Sequence, residues 1–410
     1  MTMSITTSSV FKNSAFRRLC GALFASMTAS YAIYFASITL VEEITHSSAQ
    51  MGLMIFCSTL PGFLFGLIAG VVVDRHERIG VLTTSNVLRA LVALGFLAAV
   101  HFLPPLLLLP AIYLCNFSLA ALTQFVAAAE GATVPRLVSA EQIVRANSLF
   151  SVSLLAAQGA GLVVLAPLLL KLGGAQAVGL AAVLLNLAAT ALSATLPRER
   201  TSACESRSLS GLWADFKAGW HFIVSDRLTS LVTAQLVLVS SVSLVLSTLA
   251  PGFVARDLGL RLEDAIYLVV PVGVGFGLGL VLVGRRKSLH RRERWVNIGL
   301  SILGLTLVPL AAMRQAEGTW LLLFLPVAVG LGLGFSLVMI PARAILQEHP
   351  PAAMRGRVVA AQLTLANAAN TLPLLLAGGL ADLIGIRRVL ILVALTVLGA
   401  AVVSIRHSQA

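Results

Sequence analysis

Runs of about 18 or more apolar residues recur along the whole chain, separated by short polar and charged stretches. Each run is long enough to cross a hydrocarbon core about 30 Å thick. Windows of about 19 residues place helical spans at 17–40, 49–72, 80–101, 104–126, 147–170, 174–196, 228–252, 264–284, 295–313, 319–341, 358–377 and 388–405, twelve in all. The longest polar interruption, "PRERTSACESRSLSGLWADFKAGWHFIVSDR" at 197–227, follows the sixth span and divides the chain into parts of similar length. Within it, "GLWADFKAGWHFI" has apolar residues at helical spacing and predicts a short amphipathic helix on the membrane surface. The expected organisation is an N-terminal six-helix half at 1–196, a cytoplasmic linker at 197–227 and a C-terminal six-helix half at 228–410.

Composition supports this reading. Of 410 residues, 58% are hydrophobic and 11% charged, against about 45–50% and about 25% in soluble domains. A soluble fold of this make-up would have too little polar surface to meet water. The net charge of +12 is what basic loops retained on the cytoplasmic side produce. No basic patch is interleaved with aromatics as nucleic-acid stacking would need. With the N-terminus placed in the cytoplasm, all Lys and Arg residues but six (Lys171, Arg256, Arg261, Arg314, Arg387, Arg388) fall on the cytoplasmic side. That asymmetry fits an even span count with both termini inside.

The four cysteines, Cys20, Cys57, Cys115 and Cys204, form no C-x-x-C pair and imply neither a disulfide nor a metal site. The first apolar segment has no small-residue cleavage site and reads as a span. No G-x-x-x-x-G-K-[ST] loop occurs, and no nucleophile–His–acid set lies on rigid non-membrane elements, so an enzyme is not expected. No cofactor is implied. The glycines of "GVGFGLGLVLVGRR" (Gly273, Gly275, Gly277, Gly279, Gly284) and "VGLGLGFSLVMIPAR" (Gly330, Gly332, Gly334) lie in membrane spans. They read as close helix packing or a flexible rocking helix, since a dinucleotide fingerprint needs a preceding strand.

The ends of the fourth and tenth spans carry similar patterns. "AAAEGATVPRLVSAEQIVRANSLF" and "PARAILQEHPPAAMRGRVVAAQLTL" both pass from span to proline, then to arginine and a new span, as parallel repeats around a central path would. Between spans two and three, "GVVVDRHERIG" at 70–80 concentrates charge in a short loop. It resembles the signature G-x-x-x-D-R-x-G-R-R/K of the major facilitator superfamily. Gly70, Asp74, Arg75 and Arg78 match, while Glu77 stands at the glycine and Ile79 at the last basic position. With "FRRL", "NVLRALVAL", "VPRLVSAEQIVRANSLF", "RGRV" and "GGLADLIGIRR", the chain resembles the branch containing bacterial enterobactin-exporter and macrolide-efflux-type permeases.

The resemblance implies an all-α polytopic protein of the bacterial inner membrane, with two pseudo-symmetric six-helix bundles and usually monomeric. It implies a conformational latch at Gly70, Asp74, Arg75, Arg78 and Glu130, in which Asp74, Arg78 and Glu130 form a charge relay facing the start of span eleven. Function is then secondary transport by alternating access. We expect export of a small amphipathic or drug-like compound, coupled to protons. Uptake, lipid translocation and a non-transporting sensor are the alternatives. The candidate cavity lining is uncharged: Tyr31, Tyr34, Asn116, Gln124, Gln158, Gln235, Gln362, Asn367 and Asn370. Such groups avoid lipid and face protein or a cavity. Arg89 is the one charge set two to three turns into a span, and Glu130, Asp264 and Glu348 at span ends are the candidate proton carriers.

Overall fold

A computed structural model describes residues 13–139, 142–197, 209–261, 266–284, 289–313, 320–351 and 354–409. Residues 1–12, the 198–208 part of the central connection, Asp264 and the basic group Arg285–Lys287 lie outside the described residues. Every regular element among those described is helical: α1 (Ser14–Thr45), α2 (Ser48–Arg75), α3 (Arg78–Phe102), α4 (Pro105–Leu137), α5 (Ile143–Gly159), α6 (Ala166–Ala194), α7 (Leu209–Ser225), α8 (Arg227–Gly252), α9 (Ile266–Gly284), α10 (Leu289–Ala312), α11 (Trp320–Glu348), α12 (Arg355–Ile384) and α13 (Ile386–Gln409). Short π-helical segments, Ala160–Leu165 and Phe253–Asp257, continue α5 and α8.

Ten of the described helical runs are long and apolar enough to cross a membrane, and Val269–Val283 is a shorter apolar one. One run, Arg145–Ala194, holds 50 residues, more than twice the roughly 20 that a crossing needs. It breaks at Gly173 (φ −153°) and Gly174 (φ +66°). The second angle lies in the left-handed region, which glycine reaches without steric cost. Two spans therefore share that run, joined by a two-glycine turn. Counted so, and with the α9 segment, the crossings number twelve. Large apolar side chains stand exposed along them, among them Leu91, Leu114, Leu155, Leu184 and Leu395. Lipid is the medium in which that costs nothing, and helices satisfy their own backbone there. The protein is a multi-pass membrane protein.

The chain forms two compact units, one of Met1–Ile44 and Met54–Arg207, the other of Thr45–Leu53 and Ser208–Ala410. In the first, α1 is the most buried helix, with Phe16, Leu19, Leu23 and Ile33 inaccessible. α3 packs on both α4 and α6. Thr28 Oγ1 donates to the Ala157 carbonyl of α5 at 3.4 Å, where the helix passes into its π segment. In the second, α11 packs between α9 and α10, α13 lies on α10, and α8 lies on α12. A buried polar chain links three of these helices. Gln235 Nε2 on α8 donates to Ser404 Oγ on α13 at 2.7 Å, and Ser404 Oγ donates to Asn297 Oδ1 on α10. α7 packs on α12. Asp215 accepts from Arg357 Nε at 2.8 Å, while Trp213 and Trp220 stay exposed.

Candidate functional site

The α2–α3 connection holds the charged loop. Asp74 and Arg75 end α2 exposed, and His76 Nδ1 lies 3.0 Å from the Val72 carbonyl. Glu77 is the N-cap position of α3, with extended backbone (φ −62°, ψ 117°). Arg78 begins the helix, and its Nη1 reaches across to the Ala132 carbonyl of α4 at 3.5 Å. Gly70 faces open space, whereas Gly62 and Gly66 face Gln124 of α4. The loop is thus tied to α4 through Arg78 and leaves Asp74 open.

Glu130 lies on α4 two residues before the Ala132 carbonyl that Arg78 reaches. It is 1% exposed, and Arg89 of α3 is fully buried. Arg89 is pinned to α1: Nη1 donates to Ser26 Oγ at 3.1 Å, and Nη2 to the Ser26 carbonyl at 3.2 Å and Ser30 Oγ at 2.5 Å. Asn86, one turn earlier on α3, is also buried. Asn86 Oδ1 and Nδ2, Arg89 Nε and Glu130 Oε1 have no hydrogen-bond partner among the described residues. Glu42, near the end of α1, is a further buried acid that the sequence reading passed over.

A second polar cluster, also unforeseen, lies within the other unit. His46 has φ +47° and turns the chain into the start of α2. Asp382, near the end of α12, caps that start: it accepts from Ser48 N at 2.8 Å, Ala49 N at 2.9 Å and Ser47 Oγ at 2.6 Å. Carboxylates are favoured at helix N-termini, where unpaired amides and the dipole converge. Arg256, from the π segment after α8, donates to the His46 carbonyl at 3.0 Å and Ser48 Oγ at 2.6 Å, and its Nη1 lies 3.8 Å from Asp382. The stretch "GGLADLIGIRR" carries Asp382, but its partners lie more than three hundred residues away in sequence. No local signal announces them.

The uncharged span residues divide by bonding. Asn116 donates to Ser37 Oγ at 2.8 Å, Gln235 belongs to the Ser404 chain, and Asn370 Oδ1 accepts from Ser240 and Ser241 hydroxyls at 3.1 and 2.6 Å. These three join helices. Gln124 bonds only within its own turn, to Ala120 O at 3.4 Å. Tyr31, Tyr34, Gln158 and Gln124 are half-buried, Gln362 is buried and Asn367 exposed.

Outside the spans, Asp226 caps α8. Its Oδ2 accepts from Thr229 N at 2.9 Å and Thr229 Oγ1 at 2.5 Å, and His349 Nε2 lies 3.2 Å away. They line an open pocket of about 800 Å³ with Glu293. Burial pushes the Asp226 carboxyl up, but the Thr229 and His349 contacts outweigh it and hold the group below its usual range. A depressed folded-state value means stability present above the unfolded pKa and lost as pH falls through the folded one. Asp226→Ala should therefore lower thermal stability at neutral pH by about 1 kcal/mol, the usual worth of an N-cap. In melting curves taken down a pH series, the gap between variant and wild type should close at the acid end. Among the described residues no group of three His, Cys, Asp or Glu side chains is placed to hold a metal ion.

A sequence profile described as Major Facilitator Superfamily matches residues 19–373. No curated protein matches the chain. Solved structures similar to it include a bacterial homologue of the iron transporter ferroportin in an inward-facing state, with TM-score 0.78, 16% identity, and 98% of this chain and 100% of that one covered. The nucleoside transporter NupG gives TM-score 0.74 at 12% identity, covering 96% and 98%. An auto-inhibited POT family peptide transporter gives 0.69 at 14%, covering 96% and 97%. At such identities the likeness speaks for the fold.

Proposed function

The chain belongs to the major facilitator superfamily, and on that premise we propose that it exports a small amphipathic or drug-like compound across a bacterial inner membrane by alternating access, coupled to protons. The observation that carries the substrate class is the state of the polar span residues. Among the described residues, Tyr31, Tyr34, Gln124, Gln158, Gln362 and Asn367 make no side-chain hydrogen bond to another helix, unlike Asn116, Gln235 and Asn370, whose groups are spent joining helices. Amides and phenols on an apolar background suit a ligand that is mostly apolar with a few hydrogen-bonding groups. The excess of basic residues in alternate loops supports a cytoplasmic location for both termini. Alternating access is supported by the division into two compact units, which runs through α2 between Leu53 and Met54.

In this reading the loop of Gly70, Asp74, Arg75 and Arg78 is a latch. Asp74 is exposed and free to meet a helix N-terminus in one state of the cycle, a contact worth about 0.3–1 kcal/mol. A contact made in one state shifts the equilibrium by that difference. The test is survival of an efflux-deficient bacterial host expressing the chain, across antibiotics, dyes and siderophores, beside Asp74→Asn at matched membrane abundance. Wild type should protect against amphipathic members of the panel, and the variant should protect roughly two- to fivefold less, as that energy dictates. Protection against none of them counts for uptake, lipid translocation or a non-transporting sensor. Equal protection removes Asp74 from the latch.

A further inference from the structure

We propose that the second unit carries a binding site for a primary-ammonium amphiphile, a molecule with an ammonium head on an apolar body, at the end of the unit where α8 and α10 begin and α11 and α13 end. The site lies within one unit and does not rest on the exporter reading. Two cavities with shared walls define it. The outer one is the open pocket of about 800 Å³ at the Asp226 cap. The inner one, of about 10 Å³, is lined by Gln235, Asn297 and Ser404, and it shares Leu231 and Glu293 with the first. A volume of that size takes one water-sized group. Glu293 thus stands where the two cavities meet.

The polar groups of the inner cavity are satisfied on one side and open on the other. Gln235 Nε2 donates to Ser404 Oγ at 2.7 Å, and Ser404 donates to Asn297 Oδ1. Gln235 Oε1 makes no hydrogen bond among the described residues, although the residue is only 6% exposed. The Glu293 carboxylate likewise has no hydrogen bond or ion pair among them, whereas Asp226 is spent on Thr229 and His349. Buried acceptors ordinarily find a donor. A carboxylate and an amide oxygen around a space for one small group call for a cation with several N–H donors. A primary ammonium carries three and is about the size of a water; a quaternary one carries none.

The outer pocket gives the apolar body its place. Val224 and Val403 of its wall are 60% and 54% exposed, Ala234 is exposed and Leu231 half-buried. Candidate spans begin at Arg227 and Glu293 and end at Glu348 and Arg406, so the pocket sits at the depth where acyl chains give way to headgroups. Apolar side chains left open at that level face lipid. A ligand with its head in the inner cavity therefore keeps its tail against this wall and the surrounding chains. Two sources offer that chemistry, an ethanolamine phospholipid and a free long-chain amine. Arg227, which lines the outer pocket, separates them, because only the phospholipid brings a phosphodiester for a guanidinium.

The test uses full-length protein purified in dodecyl maltoside. Native mass spectrometry compares retained dioleoyl phosphatidylethanolamine with dioleoyl phosphatidylcholine, and dodecylamine with dodecyltrimethylammonium. A primary head should be retained about tenfold better than its quaternary counterpart, the usual worth of hydrogen bonds to a charged group. Glu293→Gln should remove that preference. Asp215→Asn, which deletes a carboxylate paired elsewhere with Arg357, should keep it. Ala234→Phe narrows the outer pocket from an exposed position and should weaken retention with the protein still monodisperse, so it decides the matter if Glu293→Gln fails to fold. A preference seen with the phospholipid and lowered in Arg227→Gln assigns the site to lipid. A preference seen with dodecylamine alone assigns it to a free amine. Equal retention of primary and quaternary heads, or retention unchanged in Glu293→Gln or Ala234→Phe, overturns the site.

Discussion

Gly275→Ala is expected to lose about 3 kcal/mol of stability, the upper end of what an overpacked helix crossing costs, because the added methyl has nowhere to go. A Cβ at this position would lie 1.9 Å from the Val329 carbonyl oxygen of α11. That neighbour is backbone held in a helix, so relief requires the two helices to separate. The contact is reciprocal: a Cβ at Gly332 of α11 would lie 1.9 Å from the Val272 carbonyl oxygen of α9. Small residues at such crossings let backbones approach in lipid, where van der Waals contact replaces the hydrophobic drive. Neighbouring glycines supply the control. Gly273 and Gly277 face open space, so Gly277→Ala should be neutral or stabilising by up to about 1 kcal/mol through helix propensity. Thermal inactivation of detergent-solubilised protein, followed by the loss of the monodisperse peak, separates the two. Similar melting of both variants would show that α9 and α11 do not meet at these glycines.

Those glycines also show how far the chain could be read without coordinates. The string of five in the eighth span signalled close packing, but periodicity could not tell which of them touch a partner. The structure sorts them by face, Gly275 and Gly279 toward α11 and Gly273 and Gly277 away from it. The spans themselves were legible because an apolar run of bilayer length has few other physical outcomes. Helix α1 nevertheless extends to Thr45, beyond the apolar run, since a helix ends where its backbone finds a cap and not where lipid ends. The charged loop was visible as a cluster in sequence, and its Arg78 does reach α4. Glu130 lies two residues before the carbonyl that Arg78 reaches and is buried, while the buried Arg89 of α3 is bonded to Ser26 and Ser30 of α1. A pairing among three helices distant in sequence leaves no spacing to read. The same holds for Gln235, Ser404 and Asn297, each a lone polar residue until the helices are packed.

Asp382→Ala should loosen the start of α2 by about 2 kcal/mol. The carboxylate holds three donors there, two backbone amides and the Ser47 hydroxyl, and losing an N-cap costs about 0.5–2 kcal/mol. The ion pair to Arg256 adds little. Its atoms are 3.8 Å apart and each side chain is near 30% exposed, a setting in which pairs are worth about 0–1 kcal/mol. Arg256→Ala should therefore cost less than Asp382→Ala, and the double variant less than the sum, because both act on Ser48. Peptide-resolved hydrogen exchange reads this directly. Two kilocalories correspond to roughly a thirtyfold faster opening of residues 45–53, with α12 and the rest of α2 unchanged. Uniform loss of protection would make Asp382 a general stabiliser, and unchanged exchange would remove the cap. Residues 45–53 fall in the same compact unit as Asp382 and Arg256, so every bond of the clasp is internal to that unit. Weakening it should therefore free this first segment of α2 locally and leave the packing of α12 in place.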